Sequence, residues 1–449
     1  MTRSLARYVR SFTGFSRDAR RLLITTVVFG AATSLYWIDF NLYLEAIGIN
    51  GSTLGWLLAT SQLAGVIVAL PASAISNRIG RRTVMAGGMA LVAVALFAVL
   101  PGNVPLIFVG VALFGAGSQI VNVVQIPYIA EHTRPDQRNE FFATWSALGF
   151  MTGLVSALLG GAIAQSLSGW LGLTSSAAPY QVLLVGITIL GVAGLGTVFL
   201  LTDDRHSLAA ERLREPSRPG WFGLHVSNPG LFVKLLVPGF ITALGAGQLI
   251  PFLNVFIQSK FNLDLASLNA VFAVTSLGTT AAILMQPAIA RRMGRIGSIV
   301  LVQGASIPFL VVLGFSPLLW TVVIALAVRN SLMNAGSPIF DAFAMEKVSA
   351  SERATLSALM TLLWSLGWVI APIYYGTLQA TLGFTAGYAV DFVTIIVLYT
   401  LSTWLLWAWF RGTDRVPALA ADGAAGIEPA PTAAEVAVVE GPASLIEHA

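Results

Sequence analysis

Two charged residues, Asp39 and Arg329, lie inside apolar stretches of the sequence that are long enough to cross a lipid bilayer. A charge at the bilayer centre costs about 3 kcal/mol or more, so such residues are functional candidates by default. We expect this pair to act in proton coupling, as an ion pair or in substrate binding. Alternatively, each charge is neutralised in its own part of the chain, or Asp39 is protonated and inert. Asp341 and Asp391 lie nearer the ends of their stretches and are expected to reach water.

Amide and aromatic side chains also lie inside apolar stretches long enough to cross a bilayer. They are Tyr36, Trp37, Asn41, Tyr43, Gln119, Asn122, Gln125, Gln248, Asn254, Asn330 and Asn334. Gln119, Asn122 and Gln125 are spaced by three residues, which places them on one face of a helix. We predict that these side chains line a substrate cavity. The competing interpretations are interhelical hydrogen bonds for the amides and an interfacial aromatic belt for Trp37 and the tyrosines.

The motifs of several catalytic classes are missing from the sequence. It has no phosphate-binding G-x-x-x-x-G-K-[ST] loop, which argues against an ATP-driven pump, and no G-x-S-x-G or H-E-x-x-H motif. The four histidines are far apart in predicted loops or tails and cysteine is absent, so no metal centre is expected. We therefore predict a protein that is not an enzyme and uses no cofactor. No basic stripe lies beside aromatic residues, so nucleic acid is a poor candidate partner.

Twelve apolar stretches must position these side chains. Only 10% of the 449 residues are charged and 56% are hydrophobic, too few charges to cover a water-facing surface. Each stretch can cross roughly 30 Å of hydrocarbon as a helix, which satisfies its own backbone groups in lipid. We predict transmembrane helices over residues 22–47, 52–76, 83–101, 105–128, 142–166, 180–201, 231–256, 266–289, 297–315, 317–341, 355–379 and 386–410.

Lysine and arginine are concentrated in alternate loops, which lie on one side of this predicted bundle. They occur in the N-terminal tail, in the loops after even-numbered helices and after the last helix, whereas the other loops contain only Lys260. The positive-inside rule therefore places both termini in the cytoplasm. The predicted domains are a basic tail (1–21), a six-helix bundle (22–201), a cytoplasmic linker (202–230), a second six-helix bundle (231–410) and a disordered tail (411–449).

The two predicted bundles share motifs at a nearly constant spacing. The motif Arg78-Ile79-Gly80-Arg81 matches Arg292-Met293-Gly294-Arg295 at an offset of 214, and the pair Glu131 and Arg138 matches Glu346 and Arg353 at an offset of 215. Matched motifs at equivalent places indicate an ancestral duplication. Parallel six-helix repeats related by an axis along the membrane normal are the plan of one class of secondary transporters.

The segment SAISNRIGRR, residues 73–82, resembles the loop 2–3 signature of the major facilitator superfamily. It has Ser73 and Asn77 where the family pattern has Gly and Asp, and it retains Arg78, Gly80, Arg81 and Arg82. The resemblance covers roughly residues 20–410 and implies that helices 1, 4, 7 and 10 line a central cavity. It also implies that the loop motifs steady one conformational state. Anchoring by the positive-inside rule is the alternative for these arginines.

Together, the residues and the resemblance predict an all-α membrane protein with twelve helices in two pseudo-symmetric halves. The expected function is secondary active transport of a small amphipathic or hydrophobic solute by alternating access, with proton coupling and with export as the direction. A facilitated uniporter, a flippase for lipid-like molecules and a non-transporting solute receptor remain open alternatives. The expected partners are the solute, membrane lipids and protons, and the expected state is a monomer in the bacterial inner membrane.

Overall fold

The computed structural model of the chain is helical nearly throughout. It describes residues 15–133, 138–202, 226–275, 295–349 and 352–411, and no strand occurs in these ranges. The first six helices are α1 (Arg17–Ala46), α2 (Gly51–Ile79), α3 (Arg81–Val99), α4 (Val104–His132), α5 (Arg138–Trp170) and α6 (Ala178–Val198).

The helices from residue 229 onwards are interrupted by a 3₁₀ turn and, later, at Gly383. The elements are α7 (Pro229–Leu249), a 3₁₀ turn (Ile250–Phe252), α8 (Leu253–Phe261), α9 (Leu265–Thr275), α10 (Arg295–Phe315) and α11 (Leu319–Lys347). The last element, Arg353–Phe410, is helical except at Gly383, where φ is 71° and ψ is −176°. A residue with a side chain rarely adopts these angles, and Gly383 divides the element into α12 (353–382) and α13 (384–410).

Eleven of the twelve predicted transmembrane stretches coincide with described helices to within a few residues, and the described start of the eighth, residues 266–275, is helical as well. The seventh stretch is broken between α7 and α8, where Pro251 has no N–H to continue the hydrogen-bond ladder. Helix α1 begins at Arg17, five residues before the predicted start, because the Ala19 N–H donates to Ser16 Oγ at 3.1 Å and caps the helix there. Most of the eighth stretch, residues 276–289, lies outside the described ranges.

Large apolar side chains cover the outer surface of the helices. Leu70 is 78% exposed, Trp170 is 82% exposed and Trp320 is 77% exposed. Within the described ranges, nine helices are long and apolar enough to cross a membrane. Exposed apolar surface on helices of this length faces lipid, and the chain is an integral multi-pass membrane protein.

The described residues form two compact units. The first contains residues 15–49, 56–202 and 264–269, and the second contains 50–55, 226–263 and the described residues from 270 onwards. The first residues of α9 therefore belong to the unit that contains α1 and α5. In the second unit, Phe232, Ile299, Phe343 and Leu356 are buried in one cluster that joins α7, α10, α11 and α12.

Candidate functional site

Asp39 lies on α1 with only 2% of its surface exposed. The Asn269 Nδ2 donates to Asp39 Oδ2 at 3.4 Å, and Asp39 Oδ1 has no hydrogen-bond partner among the described residues. Asn269 is itself fully buried, and its Oδ1 also has no partner in those ranges. Asn41, two residues further along α1, is buried as well. Within the first unit, the Asp39 carboxyl group therefore contacts one neutral amide and retains an unused oxygen.

Helix α5 determines where Asn269 lies. A Cβ atom at Gly161 would be 2.7 Å from Asn269 Nδ2 and 3.0 Å from Leu265 O, closer than real Cβ contacts. One turn further along α5, Gln165 Oε1 accepts a hydrogen bond from the Ala266 N–H at 3.3 Å. Two consecutive turns of α5 thus contact the first turn of α9, and this contact places the Asn269 amide beside Asp39.

The aromatic residues of α1 are mostly packed against other rings. Tyr36 stacks on Phe40 and on Phe114, with ring centroids 4.3 Å and 3.5 Å apart and an interplanar angle of 16° in both cases. Trp37 is half-buried and meets Tyr36 edge-on at 6.4 Å. Tyr43 donates from Oη to a carbonyl oxygen in the last turn of α3 at 3.4 Å. These contacts give Tyr36 and Tyr43 packing roles within the first unit.

The three amides of α4 lie in different environments. Gln125 Nε2 donates to Thr26 Oγ1 at 3.3 Å, and Trp145 Nε1 donates to the same oxygen at 2.9 Å. Gln119 is 7% exposed, and its Nε2 has no partner in the described part of the chain. Asn122 is half-buried. Gln125 therefore joins α4 to α1, as the interhelical interpretation predicts, whereas Gln119 keeps an unused donor.

Arg329 on α11 is 2% exposed and is held by two neutral side chains. Its Nη1 donates to Asn330 Oδ1 and its Nη2 donates to Tyr399 Oη, both at 2.9 Å. The guanidinium Cζ lies 5.7 Å from the centroid of the Tyr399 ring. Arg329 Nε has no partner among the described residues. Gly245 of α7 gives Tyr399 its space, because a Cβ there would be 2.6 Å from Tyr399 Cε1.

Gln248 and Asn254 flank the break between α7 and α8. Gln248 is 4% exposed, and its Oε1 has no partner in the described ranges. Asn254 Oδ1 accepts a hydrogen bond from the Val255 N–H at 2.8 Å, a donor in the first turn of α8 that has no acceptor within its helix. At Pro238, in contrast, α7 continues without a break.

The predicted loop motifs are described only in part. Gly80 has a φ of 95° and separates α2 from α3, Arg82 Nη2 donates to Phe199 O at 3.0 Å, and Arg353 Nε donates to Met345 O at 3.1 Å. Arg78 and Glu346 are exposed at helix ends, and Arg81 is half-buried. The side chains of Asn77, Glu131, Arg138, Arg295 and Asn334 are not described, and Arg292 and Gly294 lie outside the described residues.

The burial of Asp391 contradicts the expectation from the sequence. Asp391 was expected to reach water, but it is fully buried on α13 and neither carboxylate oxygen has a partner in the described ranges. The neighbouring residues Tyr388, Phe392 and Ile395 are also buried, so this face of α13 packs against protein. The expectation was wrong because distance from a helix end does not show which face of the helix packs inward.

Glu352 is a charged residue that the sequence reasoning missed. Its carboxylate accepts hydrogen bonds from the N–H and the hydroxyl of Ser227, at 2.6 Å and 2.7 Å, and from the N–H and the hydroxyl of Ser349, at 3.3 Å and 2.6 Å. These donors, the Ser227 N–H most of all, stabilise the charged form and lower the pKa of Glu352 to about 2. The pattern Ser349-x-x-Glu352 before α12 is a capping-box signature that could have revealed it.

Comparison with known families finds one match that spans most of the chain. Residues 22–372 match the model described as Major Facilitator Superfamily. No curated protein sequence matches significantly.

Solved transporter structures share the fold. The nucleoside transporter NupG aligns with a TM-score of 0.70 at 14% identity, covering 88% of this chain and 100% of that one. A bacterial homologue of the iron transporter ferroportin in an inward-facing state aligns with a TM-score of 0.68 at 15% identity, covering 88% and 98%. A D-xylose–proton symporter aligns with a TM-score of 0.65 at 13% identity, covering 89% and 97%. At such low identity the similarity concerns the fold alone.

Proposed function

Because the chain belongs to the major facilitator superfamily, a family of transporters rather than enzymes, we propose that it is a proton-coupled secondary transporter. Its solute is a small organic molecule, and the protein alternates between inward-open and outward-open states. Asp39 carries the coupling proton, and Arg329 supplies a fixed positive charge for substrate binding. Gln119 in the first unit and Gln248 in the second each have a hydrogen-bonding atom without a partner among the described residues. The loop motifs around Arg78 and Arg353 steady the conformational states.

The observation that carries this proposal is the environment of Asp39. An ionised carboxylate inside a membrane protein costs about 3 kcal/mol or more unless a cation compensates it. Asp39 contacts a single neutral amide among the described residues of its unit. A bound proton removes the charge and turns one oxygen into a donor, for which Asn269 Oδ1 is an unused acceptor on the same side chain that already contacts Asp39. Asp39 therefore supplies a group that can bind a proton when buried and release it when water enters.

Further features support the cellular setting of this proposal. The alternation of loop charges supports cytoplasmic termini and a cytoplasmic segment 202–230 in a bacterial inner membrane. One structural neighbour is named a D-xylose–proton symporter, so the fold accommodates proton coupling. Export by a monomer is the proposed mode, with lipid contacts along the exposed apolar surface.

Solute uptake by purified protein in proteoliposomes tests the proposal. A panel of nucleosides, sugars, aromatic acids and amines is offered under an imposed pH gradient, and an internal pH-sensitive dye follows protons. We expect one class to accumulate against its gradient with matched proton movement. Asp39→Asn keeps the size and hydrogen-bonding capacity of the side chain but cannot ionise. It should abolish accumulation while exchange down the solute gradient survives.

Asp391→Asn is the matched control, because it removes the charge of another buried acid outside the proposed site. This variant should retain proton-driven accumulation. Accumulation by Asp39→Asn with unchanged pH dependence would contradict the assignment of the proton to Asp39. Solute binding without flux in the wild-type protein would instead indicate a receptor.

A further inference from the structure

The second unit contains a positively charged cluster, formed by Arg329, Asn330 and Tyr399. This cluster has hydrogen-bond donors available for a ligand. Asn330 Oδ1 and Tyr399 Oη both accept from the guanidinium group. The Arg329 Nε–H is left without an acceptor among the described residues. Tyr399 accepts from Arg329 through its oxygen, and no described residue accepts the hydrogen of its hydroxyl group. The cluster therefore offers a cation whose Nε–H has no acceptor among the described residues, together with the hydroxyl hydrogen of Tyr399.

No carboxylate contacts this cluster within the described part of the second unit. The partners of Arg329 there are an amide and a phenol, both neutral. Asp391, the fully buried acid of α13, lies eight residues before Tyr399, about 12 Å along the helix axis, and its oxygens contact no described donor. Arg329 is thus buried without a compensating anion among the described residues of its own unit. A ligand that brings a negative charge would supply one.

The Tyr399 ring of the cluster is closely packed. Gly245 leaves room for the Tyr399 ring at a distance that a Cβ atom would close, so α7 fixes the ring against α13. The ring in turn lies 5.7 Å from the guanidinium Cζ, within the range of a cation–π contact. A guanidinium held in one orientation loses little entropy when it binds a ligand, and its Nε–H lies on the edge that pairs side-on with a carboxylate.

We infer that the solute carries a carboxylate, which pairs with the free edge of Arg329 and accepts a hydrogen bond from the Tyr399 hydroxyl. This inference rests on the proposed transport function and narrows its substrate class from small organic solutes to organic anions. The rest of the solute is expected to be apolar, because the helices contain few charged residues. Neutral isosteres, such as the carboxamide of the same acid, lack the charge and would place an NH₂ group where the Arg329 Nε–H and the Tyr399 hydroxyl need an acceptor.

Equilibrium binding to the purified protein in detergent tests the inference without any proton gradient. The probes are carboxylates matched with their carboxamides: benzoate with benzamide, phenylacetate with phenylacetamide, and indole-3-acetate with indole-3-acetamide. The readout is the ligand-dependent rise in unfolding temperature, converted to a dissociation constant. We expect at least one carboxylate to bind tenfold or more tightly than its carboxamide. Arg329→Gln should remove this preference, and Tyr399→Phe, which keeps the ring against Gly245, should weaken carboxylate binding severalfold.

Arg329→Lys keeps the inference falsifiable if Arg329→Gln does not fold, because it keeps the charge but loses the side-on edge. It should bind the carboxylate more weakly than the wild type and still prefer it to the carboxamide. If none of the three carboxylates binds more tightly than its own carboxamide, the inference is overturned. Asp391→Asn, which removes the charge of a buried acid outside the cluster, should bind the carboxylate as the wild type does. Carboxylate binding by the wild-type protein without proton-driven accumulation in proteoliposomes would overturn the proposed coupling and leave this inference standing.

Discussion

Asn269 reaches Asp39 at a point where the α5 residue packed against Asn269 is a glycine, Gly161. Small residues recur every fourth position of α5, at Gly149, Gly153, Ala157 and Gly161, a pattern that favours close helix packing. At Gly161 the approach brings a side-chain amide and a backbone carbonyl of α9 within reach of α5. The row of small residues on α5 therefore contacts the candidate proton site through one residue, Gly161.

Gly161→Ala should disturb the candidate proton site without removing any of its polar atoms. The added methyl group would lie 2.7 Å from Asn269 Nδ2 and 3.0 Å from Leu265 O, so α9 must shift away from α5. We expect a loss of about 1–3 kcal/mol in stability, typical of overpacking, together with weaker proton-driven accumulation. Thermal unfolding in detergent and proteoliposome uptake measure the two effects.

Gly153→Ala provides the comparison on the same helix. Its added Cβ would meet Ser34 Oγ at 3.5 Å, an ordinary van der Waals distance. This variant should unfold and transport as the wild type does. If both alanine variants behave alike, the close approach at Gly161 does not position Asn269 for function.

Charge within an apolar stretch was enough to single out Asp39 and Arg329, because such charges are rare in lipid. Their partners could not be found in the same way. Asn269 is one amide among many in the apolar stretches, and Tyr399 is one of 9 tyrosines in the chain. Asp39 and Asn269 are 230 positions apart and Arg329 and Tyr399 are 70 apart, so only the packing of helices reveals the pairing.

Glu352 joins two segments that lie outside the helices, one before α7 and one between α11 and α12. Residues 226–228 precede α7, and the turn after α11 leads into α12. The Glu352 carboxylate accepts two hydrogen bonds from Ser227 in the first segment and two from Ser349 in the second. A charged acceptor with four donors ties the start of α7 to the start of α12 within the second unit.

Glu352→Gln should destabilise the second unit in a manner that depends on pH. Glutamine replaces one oxygen with an NH₂ group, which faces serine donors instead of accepting from them. Because the folded-state pKa of Glu352 is lowered to about 2, its charge contributes full stability above the ordinary value of 4.5. That contribution is lost as the pH falls from 4.5 towards 2. The unfolding temperatures of wild type and variant should therefore differ at pH 7 and converge in acid.

The exposed Glu346, at the end of α11, supplies a control for this experiment. Glu346→Gln should change the unfolding temperature much less at pH 7. A gap between wild type and Glu352→Gln that stays constant from pH 7 to pH 3 would show that the Glu352 charge does not stabilise the fold.

At the scale of helices, the sequence predicts where apolar stretches cross the membrane but not where they bend. Pro238 and Pro251 both lie in the seventh stretch, yet only Pro251 lies at a break. At Pro238, the residue's own carbonyl oxygen accepts hydrogen bonds from Thr242 Oγ1 at 3.0 Å and from Ser402 Oγ at 2.9 Å. The bond from Ser402 joins α13 to this turn of α7, a tertiary contact that the position of the proline in the sequence does not predict.

For the whole molecule, the alternation of loop charges predicts the sidedness of the chain. The chain contains no cysteine, so single cysteines can be introduced without removing any. Ser176→Cys, in the exposed turn between α5 and α6, should react with a membrane-impermeant maleimide on intact cells. Ser207→Cys, in the segment predicted to be cytoplasmic, should react only after the membrane is permeabilised. Reaction of both cysteines on intact cells, or the reverse pattern, would contradict cytoplasmic termini.

The single-residue turn at Gly383 has a consequence for biosynthesis. Helices α12 and α13 are joined without a polar loop, so no hydrophilic segment must be translocated before the last helix follows. The hydroxyl groups of Tyr375 on α12 and Tyr388 on α13 also lie 2.6 Å apart, in hydrogen-bond contact across the turn. Such a pair can leave the translocon as one helical hairpin, with the hydrogen bond between Tyr375 and Tyr388 already formed. The end of the chain would then enter the membrane in one step, and a ribosome stalled within α13 would leave α12 without its partner.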